Sequence, residues 1–428
     1  MTQKLTQNLQ RRTYLEGLGL VGTAALTSLA GCTGGGDNSG NETLEILHGW
    51  SGGDGQIAFD SMLEGFKEKH PDIDVNAKAI GGGGNTSLDA RINTRLNNQN
   101  PPGSWTEWPG KNLQQFTNAD LLGDIGESVW SNNNMQSAYL DGPKQAATSN
   151  GTFVCIPTNI HRMNNLFYNT TVVEAAGVDP SKLNDPMALA DAIRTISENT
   201  DAVGMAHSTK SPWTTLQLWA TVFLGQAGID AYEAFINGNG DKDAVASAFE
   251  TLLAYSEQFP DDASTIGWKE ANNMFVEGAA GFFHQGDWAA GAYGSDFAFG
   301  ENWDHVAFPG TSGQYALNMD SWVIPQDGPA SKAAKTWLQY VGTKDAQVRF
   351  NTKKGSVPPR ADVSTGEFGP FQTAQIESLQ DSTVQPPSIA HGLAVKPEIL
   401  TKLKQAVRDF SFTDASVDKT AQAFMDAF

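Results

Sequence analysis

The chain has 428 residues and a formal net charge of −20, with 28 basic against 48 acidic side chains. That length suggests two domains, and the acidity excludes nucleic acid or an anionic membrane surface as the natural partner. Two cysteines and seven histidines, with no C-x-x-C pair and no metal-ligand spacing, point to neither a structural zinc nor a disulfide framework.

In chain order the first feature is Arg11-Arg12, followed by an apolar run from Gly17 to Ala30. The run is shorter than the roughly 20 residues that span a bilayer, so it reads as an export signal. A short membrane anchor is the alternative. Leu29-Ala30-Gly31-Cys32 resembles the lipobox of bacterial and archaeal lipoproteins, whose cysteine is lipidated and becomes the first residue. The resemblance implies that 1–31 is removed and that Cys32 is the lipid anchor. The Gly-rich, polar stretch 32–42 then serves as a flexible tether. Cys155 is left without an intramolecular partner, which a chain able to bury a large core tolerates.

Residues 1–31 carry a net +2, so the remainder stands at −22. Self-repulsion of this size is tolerable where salt screens it, the Debye length being about 3 Å at 1 M. The balance reads as that of an extreme halophile, archaeal in type, with an ordinary acidic secreted protein as the alternative.

"TLEILHGW" (43–50) alternates as a strand, and "DGQIAFDSMLEGFKEKH" places Phe59, Met62, Leu63 and Phe66 on one helical face. Pro71 ends that helix, "IDVNAKAI" is a second strand, and Leu88, Ile92 and Leu96 mark a second helix. This order predicts parallel βαβ units in an open α/β sheet, with ligand-bearing loops such as "GWSGGDG" beyond the strand ends. After about Asn159 helices dominate. Leu189, Ile193 and Ile196 mark one, Trp213–Gly225 another, and Val245, Phe249, Leu252 and Leu253 a third. "AGFFHQGDW" and "YALNMDSWVIP" return to strand patterns, and 331–428 is again helical in pattern. "GGGGN" (81–85) lacks the Lys-Ser/Thr of a phosphate loop and reads as a flexible turn.

Several blocks occur in order: "EILHGWSGGDGQIAFDSMLEGFKEKHPDIDV", "NPPGSWTEWPGK", "VCIPTNIHRMNNLFYN", "FFHQGDWAAGAYG", "NMDSWVIP", "NTKKGSVPPR" and "AHGLAVKPE". Together they resemble the extracellular solute-binding proteins of sugar ABC transporters, most closely the glucose/mannose-binding members. The resemblance implies an α/β, two-lobed periplasmic-binding-protein-like fold (type II), with the ligand cleft between lobes joined by three crossings. It places lobe 1 at 43–157 plus 283–342 and lobe 2 at 158–282 plus 343–428. It further implies a non-catalytic, monomeric receptor without cofactor or metal, anchored at the cell surface. Such a receptor captures a monosaccharide by hinge closure and delivers it to permease subunits.

Carried over block by block, the resemblance places Trp50 and Asp54 in the first strand–helix loop, where a glutamate is usual at position 54. Thr106 and Trp108 stand where the family has Gln and His. Asn159 and His161 reach in from the first crossing, Trp213 opens a helix, and Trp288 follows Gly-Asp. Asp320, Lys354 and His391 complete the expected ligand set. Aromatic faces suit the apolar side of a pyranose, and these polar groups suit its hydroxyls. An extra ring at Trp108 leaves a disaccharide ligand open, and tryptophans with carboxylates also leave open a secreted glycoside hydrolase. Within "FVCIPTNIHRMN", Cys155 reads as a small buried residue of a strand and not as a nucleophile for His161.

Overall fold

The computed structural model describes residues 43–81, 85–329 and 331–428. The expected signal, the Cys32 anchor, the tether and most of the 81–85 turn lie outside the described residues. Among those described, no helix is long and apolar enough to cross a membrane.

The first lobe is built on a five-stranded sheet in the order Asp74–Ala79, Thr43–His48, Ser104–Glu107, Ser321–Val323, Ile156–Pro157. Thr43–His48 runs parallel to both neighbours, with Ile46 opposite Ala77 and Ser104. Ser321–Val323 is antiparallel to the strands on either side of it. Helix Gly53–Lys69 buries Ala58, Phe59, Met62 and Phe66 at helical spacing. Each such large side chain contributes about 1.5–3 kcal/mol on burial. Gly53, at φ 64°, makes the left-handed turn that lets the chain reverse from Trp50 into this helix.

The second lobe carries a four-stranded sheet in the order Trp303–Ala307, Asn165–Asn169, Ala280–Gln285, Val203–Ala206. Helices Pro186–Asn199, Pro212–Ile236, Lys242–Ser256, Pro397–Arg408 and Asp414–Met425 pack their apolar faces into its core. The Pro212–Ile236 helix is broken at Gly228, whose φ of 79° no helix accommodates.

Two expected crossings are displaced. Trp303–Ala307 pairs antiparallel with Asn165–Asn169 along its whole length, so the chain stays in the second lobe through Ala307. Segment 283–307 therefore does not belong to lobe 1. Helix Lys344–Lys354 packs against Gly53–Lys69 and sends Ala346 and Phe350 into the first lobe's core, so that segment does not belong to lobe 2. The lobes are joined by segments that pair with one another. His161–Arg162 lies antiparallel to Leu317–Asn318, and Ile160 bridges to Val357. A separate apolar cluster sits here: Trp108, Ile160, Tyr315, Leu317, Met319, Val357, Leu379 and Leu393. The joint is thus packed like a core and is no loose linker. Cys155 is fully buried in the first lobe's core, where burial pushes its thiol up to about 12.

Candidate functional site

Between the lobes lies a cleft of about 270 Å³. Nine expected residues line it: Trp50, Asp54, Trp108, His161, Trp213, Trp288, Asp320, Lys354 and His391. Trp50 arrives on the turn after the first strand, Asp54 on the first turn of helix Gly53–Lys69, Trp213 on the first turn of a helix, and Trp288 on the short turn Asp287–Ala292. Thr106 and Asn159 do not line the cleft. Thr106 is held inside the first sheet, and Asn159 lies fully buried behind Asp320.

The aromatic rings pack against one another through their edges. Trp108 meets His391 at 5.0 Å between centroids and 77° between planes, and Trp288 meets His161 at 5.0 Å and 89°. Trp213 lies 6.3 Å from Trp288 and 5.7 Å from His391. Such edge-to-face contacts fix ring orientation, so the apolar walls are set before a ligand enters. Lys404 stands 5.6 Å over the Trp108 ring and Lys354 5.7 Å over that of Trp288.

The polar groups form two connected sets. Lys354 Nζ donates to Asp54 Oδ2 at 2.6 Å, so the shorter acid at position 54 still reaches a partner. In the second set, Asn159 donates to Asp320 Oδ2 at 2.9 Å, while its Oδ1 accepts the Asp320 N–H at 2.7 Å. His161 Nε2 lies 3.5 Å from Asp320 Oδ2, and its Nδ1 contacts Asp287 Oδ1. Burial alone would raise the Asp320 pKa. Hydrogen bonds from His161 and Asn159 and the charges of His161 and Lys354 outweigh that and bring it to about 2. Asp320 therefore enters the cleft as a carboxylate. His391, by contrast, is pushed down to about 3 by burial and by the Lys404 charge. It remains neutral, with Nδ1 3.0 Å from Ser388 Oγ.

Gly49, Ser51, Gly52 and Gly55 of the expected "GWSGGDG" loop also line the cleft, and outside that loop so do four residues that were not expected: Asn85, Trp268, Lys269 and Asn318. Asn318 lies two residues before Asp320 on the crossing segment, in a position its neighbour's motif could have suggested. Trp268 and Lys269 come from the second lobe, and Lys269 Nζ reaches the Gly52 carbonyl of the first at 3.5 Å. No local pattern announces that contact.

The groups that could suggest a reaction stand apart or are already paired. Cys155 is locked in the first lobe's core while His161 faces the cleft. The two cleft carboxylates are engaged with Lys354 and Asn159. Among the described residues no cluster of His, Cys, Asp and Glu is arranged to hold a metal ion.

Comparison with known proteins agrees with the geometry. A xylose/arabinose-binding protein, XacG of Haloferax volcanii, is 40% identical over 98% of both chains. An ABC transporter extracellular-binding protein of Pyrococcus horikoshii is 30% identical over 97% of this chain and 96% of that protein. Among solved structures, the bacterial solute receptor AcbH superposes with a TM-score of 0.79 at 18% identity, over 90% of this chain and 98% of that one. The profile of the bacterial extracellular solute-binding protein family matches residues 52–348. These are binding proteins and not enzymes, and the chain belongs to the bacterial extracellular solute-binding protein family.

Proposed function

We propose that the protein is the sugar receptor of an ABC importer, and that its ligand is a single aldose in pyranose form, with the pentoses xylose and arabinose preferred. The observation that carries this reading is one interlobe cleft with tryptophan walls and a floor of carboxylate, ammonium and imidazole groups. Its volume of about 270 Å³ falls below the about 300–1,000 Å³ of pockets that take drug-sized ligands, which favours one ring over a chain of sugars. The relative at 40% identity is named for pentose binding, whereas a relative named for glucose binding is 24% identical over 68% of this chain.

In this reading Trp50, Trp108, Trp213 and Trp288 cover the apolar faces of the ring. Asp54, His161, Asp320, Lys354 and His391 meet its hydroxyls, and Thr106 and Asn159 support them from behind. Neutral hydrogen bonds add about 0.5–1.5 kcal/mol each and charged ones about 1.5–3, enough with two aromatic platforms for micromolar binding at about −8 kcal/mol. The lobes close on the ligand about the three paired crossings, and the closed form is offered to the permease. Cys32 carries the lipid that tethers the receptor to the outer face of the membrane, in a high-salt milieu.

Calorimetric titration with xylose, arabinose, glucose, mannose and maltose tests this. Saturable binding of a pentose, weaker hexose binding and no maltose binding are expected. Tighter maltose binding would sink the single-ring reading, and steady release of reducing sugar from an oligosaccharide would sink the receptor.

A further inference from the structure

Asp287 does not line the cleft, yet its fully buried carboxylate joins two distant segments that do. Oδ1 contacts His161 Nδ1, and Oδ2 accepts the Arg162 N–H at 3.1 Å. The next residue in the chain is Trp288, whose ring stands edge-on to the same imidazole. We propose that Asp287 is the positioning residue of the cleft, fixing His161 and Trp288 against each other so that both meet the ligand in one arrangement. The inference rests on the reading of this cleft as a sugar site.

The chemistry of the imidazole supports it. A carboxylate at Nδ1 requires a hydrogen there, which leaves Nε2 as the nitrogen that serves the cleft. Nε2 lies 2.9 Å from Asn159 Nδ2 and 3.5 Å from Asp320 Oδ2. With one ring hydrogen, Nε2 accepts from Asn159. With two, it donates towards Asp320 or a ligand hydroxyl. Asp287 biases this choice. Burial works against the charged ring, but the Asp287 charge, opposed by Lys354 and aided by Asp320, leaves the pKa of His161 above its ordinary value. The other ionisable groups nearby are Arg162, the next residue in the chain, and His391, which stays neutral. Take away Asp287, and burial and Lys354 stand against Asp320 alone.

The carboxylate also binds the crossing strand to the turn that carries Trp288. Asp287 therefore couples the hinge to one aromatic wall. Asp287→Asn keeps the shape and one acceptor for the Arg162 N–H while removing the charge.

The test uses the full chain and its Asp287→Asn variant, with two readouts. The first is ring-nitrogen NMR of His161 without sugar, from about pH 5 to about pH 9. In the native chain the ring should carry both hydrogens at the ordinary histidine pKa of 6.5 and titrate above it, whereas in the variant it should titrate below it. The second is calorimetry with xylose and arabinose across the same range. The variant should bind at least about tenfold more weakly, and the inflection of Kd with pH should move down with the ring's titration. A native His161 that titrates at or below the ordinary value overturns the proposal, whether or not the variant folds. So does a variant with unchanged titration and unchanged Kd. If the native chain binds neither sugar, the sugar reading fails and the NMR titration still decides the role of Asp287.

Discussion

Lys354 and Asp54, from opposite ends of the chain, form an ion pair 2.6 Å long in which each side chain is only 7% exposed. Removing one member of a buried pair leaves the other charge uncompensated, at a cost of about 3–5 kcal/mol. Lys354→Met should therefore lower the urea midpoint strongly, while the double variant Lys354→Met/Asp54→Leu should recover much of the loss. Denaturation curves of the two variants with equal slopes check this. If the double variant is as unstable as the single one, the pair is not the source of the effect.

Asp320→Ala removes the one cleft carboxylate held at about 2. Sugar binding should fall beyond calorimetric detection while far-ultraviolet circular dichroism stays native. The pH dependence has a definite sign. Because the folded pKa lies below the ordinary 3.8, the stabilisation from this group is complete above that value and fades as pH falls towards 2. Acid unfolding followed by tryptophan fluorescence should show native protein at about pH 4 and loss below it, with Asp320→Asn flattening that part of the curve.

Trp288→Ala should weaken sugar binding at least about tenfold, since the ring is both a platform for the ligand and the edge partner of His161. Its cost in stability should be about 3 kcal/mol. Unchanged affinity by calorimetry would remove Trp288 from the site.

Cys155 should be inert towards alkylating reagents in the native state, because burial keeps its thiol protonated up to about 12. Peptide mapping after iodoacetamide treatment should find it unmodified before unfolding and modified in guanidinium. Native labelling would place it in a more open environment than the first lobe's core.

A charge of −22 beyond residue 31 should make stability rise with salt. The melting temperature is expected to climb from about 0.1 M to about 2 M NaCl as the Debye length shrinks from about 10 Å to below about 3 Å. A melting temperature that falls over this range contradicts the high-salt reading.

Much of this molecule was legible in its sequence because the signals were local. The apolar spacing of Phe59, Met62, Leu63 and Phe66 states a helix, and alternation in Thr43–Trp50 states a strand. Trp50, Trp108 and Trp213 each sit beside Gly, Ser or Pro, and Trp288 follows Gly-Asp, where motif resemblance could place them. That Thr106 is set back from the cleft was hidden because a strand's two faces look alike until the sheet is assembled. Its hydroxyl is buried, and Oγ1 has no hydrogen-bond partner among the described residues. The lobe boundaries failed for a related reason. An apolar run such as Ala280–Gln285 states a buried strand, but nothing in it says that Trp303–Ala307 will return to the same sheet. Lys269 and Asp287 were invisible because their partners, Gly52 and His161, meet them only after both lobes have formed.

The first sheet takes its two remaining strands from far along the chain, Ile156–Pro157 at one edge and Ser321–Val323 beside it. A growing polypeptide therefore cannot complete that sheet until Val323 has left the ribosome. Until then Ser104–Glu107 presents an unpaired edge, open to wrong pairings with other chains. Synthesis of this protein should consequently depend on something that shields the half-built sheet, and pulse-labelled chains stopped before Ser321 should be far more protease-sensitive than those stopped after helix Lys344–Lys354.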